Sequence, residues 1–160
     1  MFIERIFGRG TRIQARVPVP RERILVASED PRFWFGLRQE SKEVEASWVL
    51  ANSARECLLA VEDPRVKLVI LDGTLNDKPA NQLLTLLRQI RPDLLIVFAY
   101  QCPSDDAERE ARQAGVLYYG DRTQLSNMAH VVGQSLHRVA TRQARPRPGS
   151  ARAEGMTERS

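Results

Sequence analysis

Two acidic side chains follow one short apolar run, and a third closes another. Ile24–Ala27 leads into Ser28, Glu29 and Asp30, and Leu68–Leu71 is followed at once by Asp72. A later run, Val116–Tyr119, leads through Gly120 to Asp121 and Arg122. Carboxylates gathered at one point repel each other. Such a group either holds a hard cation such as Mg²⁺ through its oxygens or contains one acid with special chemistry. An arginine at the same edge would add a fixed positive fork that matches carboxylate or phosphate. The plainer use of such acids is to cap the helix that follows a strand, and Asp30 before Pro31 suits that role. Which use applies depends on whether the chain brings these residues together.

Other reactive side chains carry less. Cys57 and Cys102 make neither a metal cluster nor a disulfide framework, and they fit a reduced, cytoplasmic protein. His130 and His137 stand seven apart and share one helix face with no third ligand nearby, so they read as surface residues. Phe33, Trp34 and Phe35 are adjacent and cannot all face the core of one helix, so an exposed aromatic is expected there.

The elements that must position the acids alternate regularly. Ile24–Ala27, Trp48–Ala51, Leu68–Leu71, Leu94–Ala99 and Val116–Tyr119 read as strands, apolar nearly throughout. Continuous apolar runs belong to strands covered on both faces, hence to a parallel sheet. Helical spacing fills the gaps. Ala54, Cys57, Leu58 and Val61 form one stripe, opened by a capping box of Ser53 and Glu56. Ala80, Leu83, Leu84 and Leu87 form another, stopped at Arg91-Pro92. Ser104 caps a third helix, with Asp105 and Asp106 at its positive end, Ala107, Ala111 and Ala114 inward, and Gly115 as terminator. The last helix runs from Thr123 to Ala140, with Leu125, Met128, Ala129, Val132, Leu136 and Val139 on one stripe. The first is the least regular: Pro31 opens it, Trp34 and Leu37 face the sheet, and the pattern fades into Ser41–Glu45. Right-handed crossovers then give an open (βα)₅ sheet with helices on both faces. The usual strand order 2-1-3-4-5 puts the ends of the first and third strands side by side. Glu29, Asp30 and Asp72 are thereby expected in one cleft.

A chain of 160 residues holds one domain. Its net charge of +4 is unevenly placed: residues 23–140 carry −2, while residues 1–22 and 141–160 carry +3 each. The basic character belongs to the ends, which argues against a folded nucleic-acid-binding face. The boundaries expected are a basic N-terminal extension over 1–22, one domain over 23–140 and a disordered Arg/Pro-rich tail over 141–160. No apolar run is long enough to span a membrane.

The strings ILVASED, LVILD and AGVLYYGDR, in this order and spacing, resemble the receiver domain of bacterial two-component response regulators (CheY-like) across residues 23–140. The resemblance implies a flavodoxin-like fold, with Asp72 as phosphoacceptor. Glu29 and Asp30 would be the acidic pair that holds Mg²⁺ with Asp72, Glu29 through a water, and Tyr119 the switch aromatic. It also implies phosphorelay signalling: a partner histidine kinase as donor, a downstream protein bound on the face of helix 4, strand 5 and helix 5 (105–139), and self-association on that face. Mg²⁺ is the implied cofactor if Asp72 is phosphorylated.

The departures point to an atypical, degenerate member. Tyr100 stands where the family has a small hydroxyl; it carries its own hydroxyl further out and fills the room beside Tyr119. Arg122 replaces an invariant Lys, keeping the charge with different geometry. Thr123 replaces the Pro that follows that Lys in the family. The acceptor acid therefore survives while the apparatus that reads a phosphoryl group is altered.

Two other readings compete. A phosphorylation-independent pseudo-receiver would serve as an interaction or scaffold module, its acids merely capping helices. The string Asp72-Gly73-Thr74-Leu75 resembles the first motif of haloacid-dehalogenase-type phosphatases, but the nucleophile position there is Ile70, which cannot attack phosphorus. The expectation is therefore a stand-alone signalling receiver, not an enzyme, with no DNA-binding output domain.

Overall fold

The computed structural model describes residues 22–73 and 75–144. The expected extension before Glu22 and the tail beyond Ala144 lie outside the described residues. Ten elements alternate: β1 (Arg23–Ala27), α1 (Pro31–Glu40), β2 (Ser47–Ala51), α2 (Ala54–Ala60), β3 (Val66–Asp72), α3 (Ala80–Ile90), β4 (Leu95–Tyr100), α4 (Asp105–Gln113), β5 (Tyr118–Asp121) and α5 (Leu125–Ala144). The five strands form one parallel sheet in the order β2-β1-β3-β4-β5.

Period-2 alternation sorts the strand side chains into two cores. Leu25, Ala27, Val69, Leu71, Ile96 and Phe98 face one side, packing against Cys57 of α2, Leu83 and Leu87 of α3 and Ala111 of α4. Ile24, Val26, Leu68, Ile70, Val97 and Ala99 face the other, against Phe33 and Leu37 of α1 and Met128, Val132 and Leu136 of α5. Each fully buried Leu or Ile in these layers stabilises by about 2 kcal/mol.

Several local expectations shift. The face that α1 turns to the sheet carries Phe33 and Leu37; Trp34 is only partly buried, and Phe35 is the exposed aromatic at 58%. Trp48, on a run read as a strand covered on both faces, is likewise only partly buried, as is most of the edge strand β2. β5 begins at Tyr118, not Val116, because Val116 N–H still bonds Ala111 O at the end of α4. With Gly115 at φ +74° and its N–H on Arg112 O, that turn is a Schellman closure, which needs the left-handed conformation glycine allows. α5 continues four residues past Ala140.

The amino end of the sheet is tied by two arginines. Arg88 donates to the carbonyls of Ala114, Leu94, Gly115 and Pro92 at 2.6, 2.6, 2.7 and 3.1 Å. Arg91 does the same for Val61, Asp63 and Val66 at 3.0–3.2 Å. The acids gather at the opposite, carboxyl end.

Candidate functional site

Strand order decides the site. β1 lies beside β3, and Ala27 pairs with Leu71, so the residues following β1 arrive next to Asp72. Asp72 is fully buried. Its Oδ2 accepts a hydrogen bond from Ser28 Oγ at 2.8 Å and from Arg122 Nη2 at 3.0 Å. The same Nη2 lies 3.0 Å from Asp30 Oδ2, so one guanidinium nitrogen bridges two carboxylates. Ser28 Oγ also accepts from Asp30 N at 3.0 Å. Asp30 Oδ1 caps α1 by accepting from Arg32 N at 2.9 Å. The plain and the chemical use of Asp30 therefore coexist, one on each oxygen.

Glu29 does not turn into this cleft. Its carboxylate accepts from Asn76 N at 3.2 Å and from Asn76 Nδ2 at 2.6 Å, which fixes the loop after β3. The next residue in that loop, Asp77, accepts from Ala54 N and Arg55 N at 2.9 and 3.2 Å and so caps α2 from a distant part of the chain.

Arg122 reaches the cleft from just past β5, where its own N–H donates to Tyr100 O at 2.9 Å. Its guanidinium lies over the Phe33 ring at 5.3 Å and is 18% exposed. Burial works against that charge, yet the hydrogen bonds to Asp30 and Asp72 outweigh it and raise the Arg122 pKa. In return the Arg122 hydrogen bond, helped by Arg32 N–H, holds the Asp30 carboxyl below its ordinary range. The contact to the buried Asp72 at 3.0 Å corresponds to roughly 5 kcal/mol of attraction at an effective dielectric of 20, before desolvation is subtracted, while solvent screens the one to the half-exposed Asp30.

These positions bear on Mg²⁺. Asp30 and Asp72 do aim oxygens at one point, but Arg122 Nη2 holds that point. Among the described residues no three His, Cys, Asp or Glu side chains are arranged to hold a metal ion. As they stand, the residues fit a guanidinium and not a divalent cation.

Tyr100 and Tyr119 meet on the α4 side of the sheet. Their rings stack with centroids 4.7 Å apart, and Phe98 continues the stack at 5.3 Å from Tyr119. Burial raises the Tyr119 phenol, and its buried hydroxyl makes no well-formed hydrogen bond. Tyr118 faces the opposite core. Thr123 donates both its N–H and its Oγ1 hydroxyl to Asp121 Oδ1 at 2.8 Å.

No protein-family model and no curated protein matches the chain. Solved structures do. A CheY-like response regulator receiver domain protein from Methanospirillum hungatei JF-1 superposes with a TM-score of 0.67 at 19% identity, over 76% of this chain and 98% of that one. The fold is that of a response regulator receiver domain. A two-component response regulator from Clostridium difficile gives 0.66 at 21% identity, over 73% of this chain and 97% of that one. A Burkholderia pseudomallei response regulator, solved with a phosphorylated aspartic acid, a calcium ion and citrate, gives 0.62 at 16%, over 77% of this chain and 73% of that one. Among the described residues, this receiver fold has no helix long and apolar enough to cross a membrane.

Ser28 and Phe33 also belong to the site, beyond the residues expected from the sequence. Ser28 had a signal, since a hydroxyl at the end of β1 sits next to whatever ends β3. Phe33 had none beyond belonging to an aromatic triplet.

Proposed function

We propose that this protein is an atypical response regulator receiver, with Asp72 as phosphoacceptor, that signals by protein–protein contact. One observation carries the reading: Asp72 ends the central strand β3 with its Oδ2 3.0 Å from a cation delivered by the end of β5. In the step proposed, a carboxylate oxygen of Asp72 attacks the phosphorus of a phosphohistidine on a partner kinase. The new P–O bond forms as the P–N bond breaks, and the released imidazole takes a proton from solvent. Arg122 then faces the transferred phosphoryl oxygens, which carry about −1.5 to −2 charge in place of the single negative charge of the free carboxylate. The phosphorylated aspartic acid in the Burkholderia pseudomallei response regulator supports acyl-phosphate chemistry in this fold. The output surface would be α4, β5 and α5, also used for self-association, in a cytoplasmic protein that turns over no substrate.

A second reading, the phosphorylation-independent module, is favoured by the complete burial of Asp72 and the Tyr100–Tyr119 stack. Incubation with a small acyl phosphate donor, or with phosphorylated histidine kinases, followed by intact mass and peptide mapping, separates the two. One phosphoryl group on wild type and none on Asp72→Asn supports the acceptor reading. An unchanged mass with every donor overturns it in favour of the module.

A further inference from the structure

We infer that Arg122 is a tethered cation that takes the place of a divalent metal in the acidic cleft, so that a metal ion and the Arg122 side chain compete for the same two carboxylates. The inference rests on reading the Asp30–Asp72 cleft as the functional site of the receiver fold. The argument is geometric. Two carboxylates, one at the cap of α1 just past β1 and one at the end of the neighbouring β3, would repel if nothing positive lay between them. Here a single Nη2 is 3.0 Å from both Oδ2 atoms. The guanidinium cannot drift away cheaply, because it rests on the Phe33 ring and its backbone N–H is fixed to Tyr100 O. Its Nε is buried with no hydrogen bond, so the fork is placed for the two acids and not for its own full satisfaction. Glu29, which could have enlarged an oxygen cage, is held by Asn76. A cation covalently attached to the chain has no association entropy to lose, whereas a free ion must shed water to reach the same oxygens. In this arrangement any divalent ion binds only after the bridge opens.

The test titrates Mn²⁺ alone against the full chain and against Arg122→Ala and Arg122→Gln, with affinity read by calorimetry and by the spin signal of free Mn²⁺. Removing the guanidinium should tighten Mn²⁺ binding at least about tenfold, equivalent to about 1.4 kcal/mol. Adding Asp30→Asn to either variant should abolish the gain. Equal affinities of wild type and variants overturn the inference, as does the absence of binding by a variant whose circular dichroism is native. A third measurement needs no variant: Mn²⁺ added to ¹⁵N-labelled wild type should leave the amide signals of Ser28, Asp72 and Gly73 unbroadened, and selective loss of those signals overturns the inference. None of these readouts involves phosphoryl transfer, so they can fail while Asp72 remains a phosphoacceptor, and the reverse also holds.

Discussion

The Arg122–Asp72 contact should appear as a large coupling in folding stability. Asp72 has no solvent exposure, and Arg122 has 18%. Replacing Arg122 by Met keeps most of the stem over Phe33 but deprives a buried carboxylate of its counter-charge. For fully buried pairs that costs about 3–5 kcal/mol. The partial exposure of Arg122 and of Asp30, at 35%, places this case at the lower end, about 3 kcal/mol. Asp72→Asn alone should be nearly neutral, because the amide oxygen can still accept from Ser28 and Arg122 while the buried charge is gone. The double variant should lose only about 1 kcal/mol relative to wild type, leaving a coupling of about 2 kcal/mol. Urea unfolding at pH 7, followed by far-ultraviolet circular dichroism, measures all four proteins under one linear extrapolation. If the two single effects add to within about 0.5 kcal/mol of the double, the bridge is not an energetic unit and the electrostatic account of the cleft is wrong.

Three further outcomes follow from contacts elsewhere. The carboxyls of Asp30, Asp63, Asp77 and Asp121 are held below their ordinary range, chiefly by Arg122, Arg65, Ala54 N–H and Thr123 N–H respectively. A depressed folded-state pKa gives stability that is complete above the unfolded value, about 3.9, and is lost as pH falls through the folded one. The melting temperature should therefore hold from neutral pH to about 5 and decline below about 4; a rise on acidification would contradict this. Burial, with Asp77 adding to it, pushes the Cys57 thiol up to about 12, while Cys102 is exposed. An aromatic disulfide reagent at mildly alkaline pH should titrate one thiol quickly and the second only in denaturant, and two fast thiols would show that α2 is not packed as described. Arg88→Met removes the donors to four carbonyls and should lower stability by about 2–4 kcal/mol in the same urea assay; a loss under about 0.5 kcal/mol would mean those carbonyls are satisfied by water.

The sheet was readable because strands covered on both faces must be apolar along their whole length, and Leu68–Leu71 or Leu95–Ala99 allow little else. Strand order then placed Asp30 beside Asp72 before any side-chain geometry was known. Capping was equally local: Ser53 and Ser104 accept from Glu56 N and Ala107 N as their spacing implies. What escaped depended on rotamers and distant partners. Glu29 sits next to Asp30, yet Asn76, 47 residues away, draws it out of the cleft. Nothing in the sequence distinguishes an Arg122 that waits for phosphate from one that already grips two acids. The start of β5 was misplaced because Val116 and Leu117 are apolar enough for a strand, while the Schellman closure still engages Val116. Leu117 ends 44% exposed. Nothing in the residue types marks Arg88 on α3, or Arg91 at its C-cap, as a donor to backbone carbonyls, since carbonyl partners leave no trace in the sequence.

The segment leaving Asp72 is laced to its surroundings at two points, Asn76 to Glu29 and Asp77 to the first turn of α2. It acts as a strap across the top of the sheet. Asn76 and Asp77 thus fasten the residue after β1 and the first turn of α2 to one short stretch of chain, at the end of the sheet opposite the β4 and β5 strands that carry Tyr100 and Tyr119.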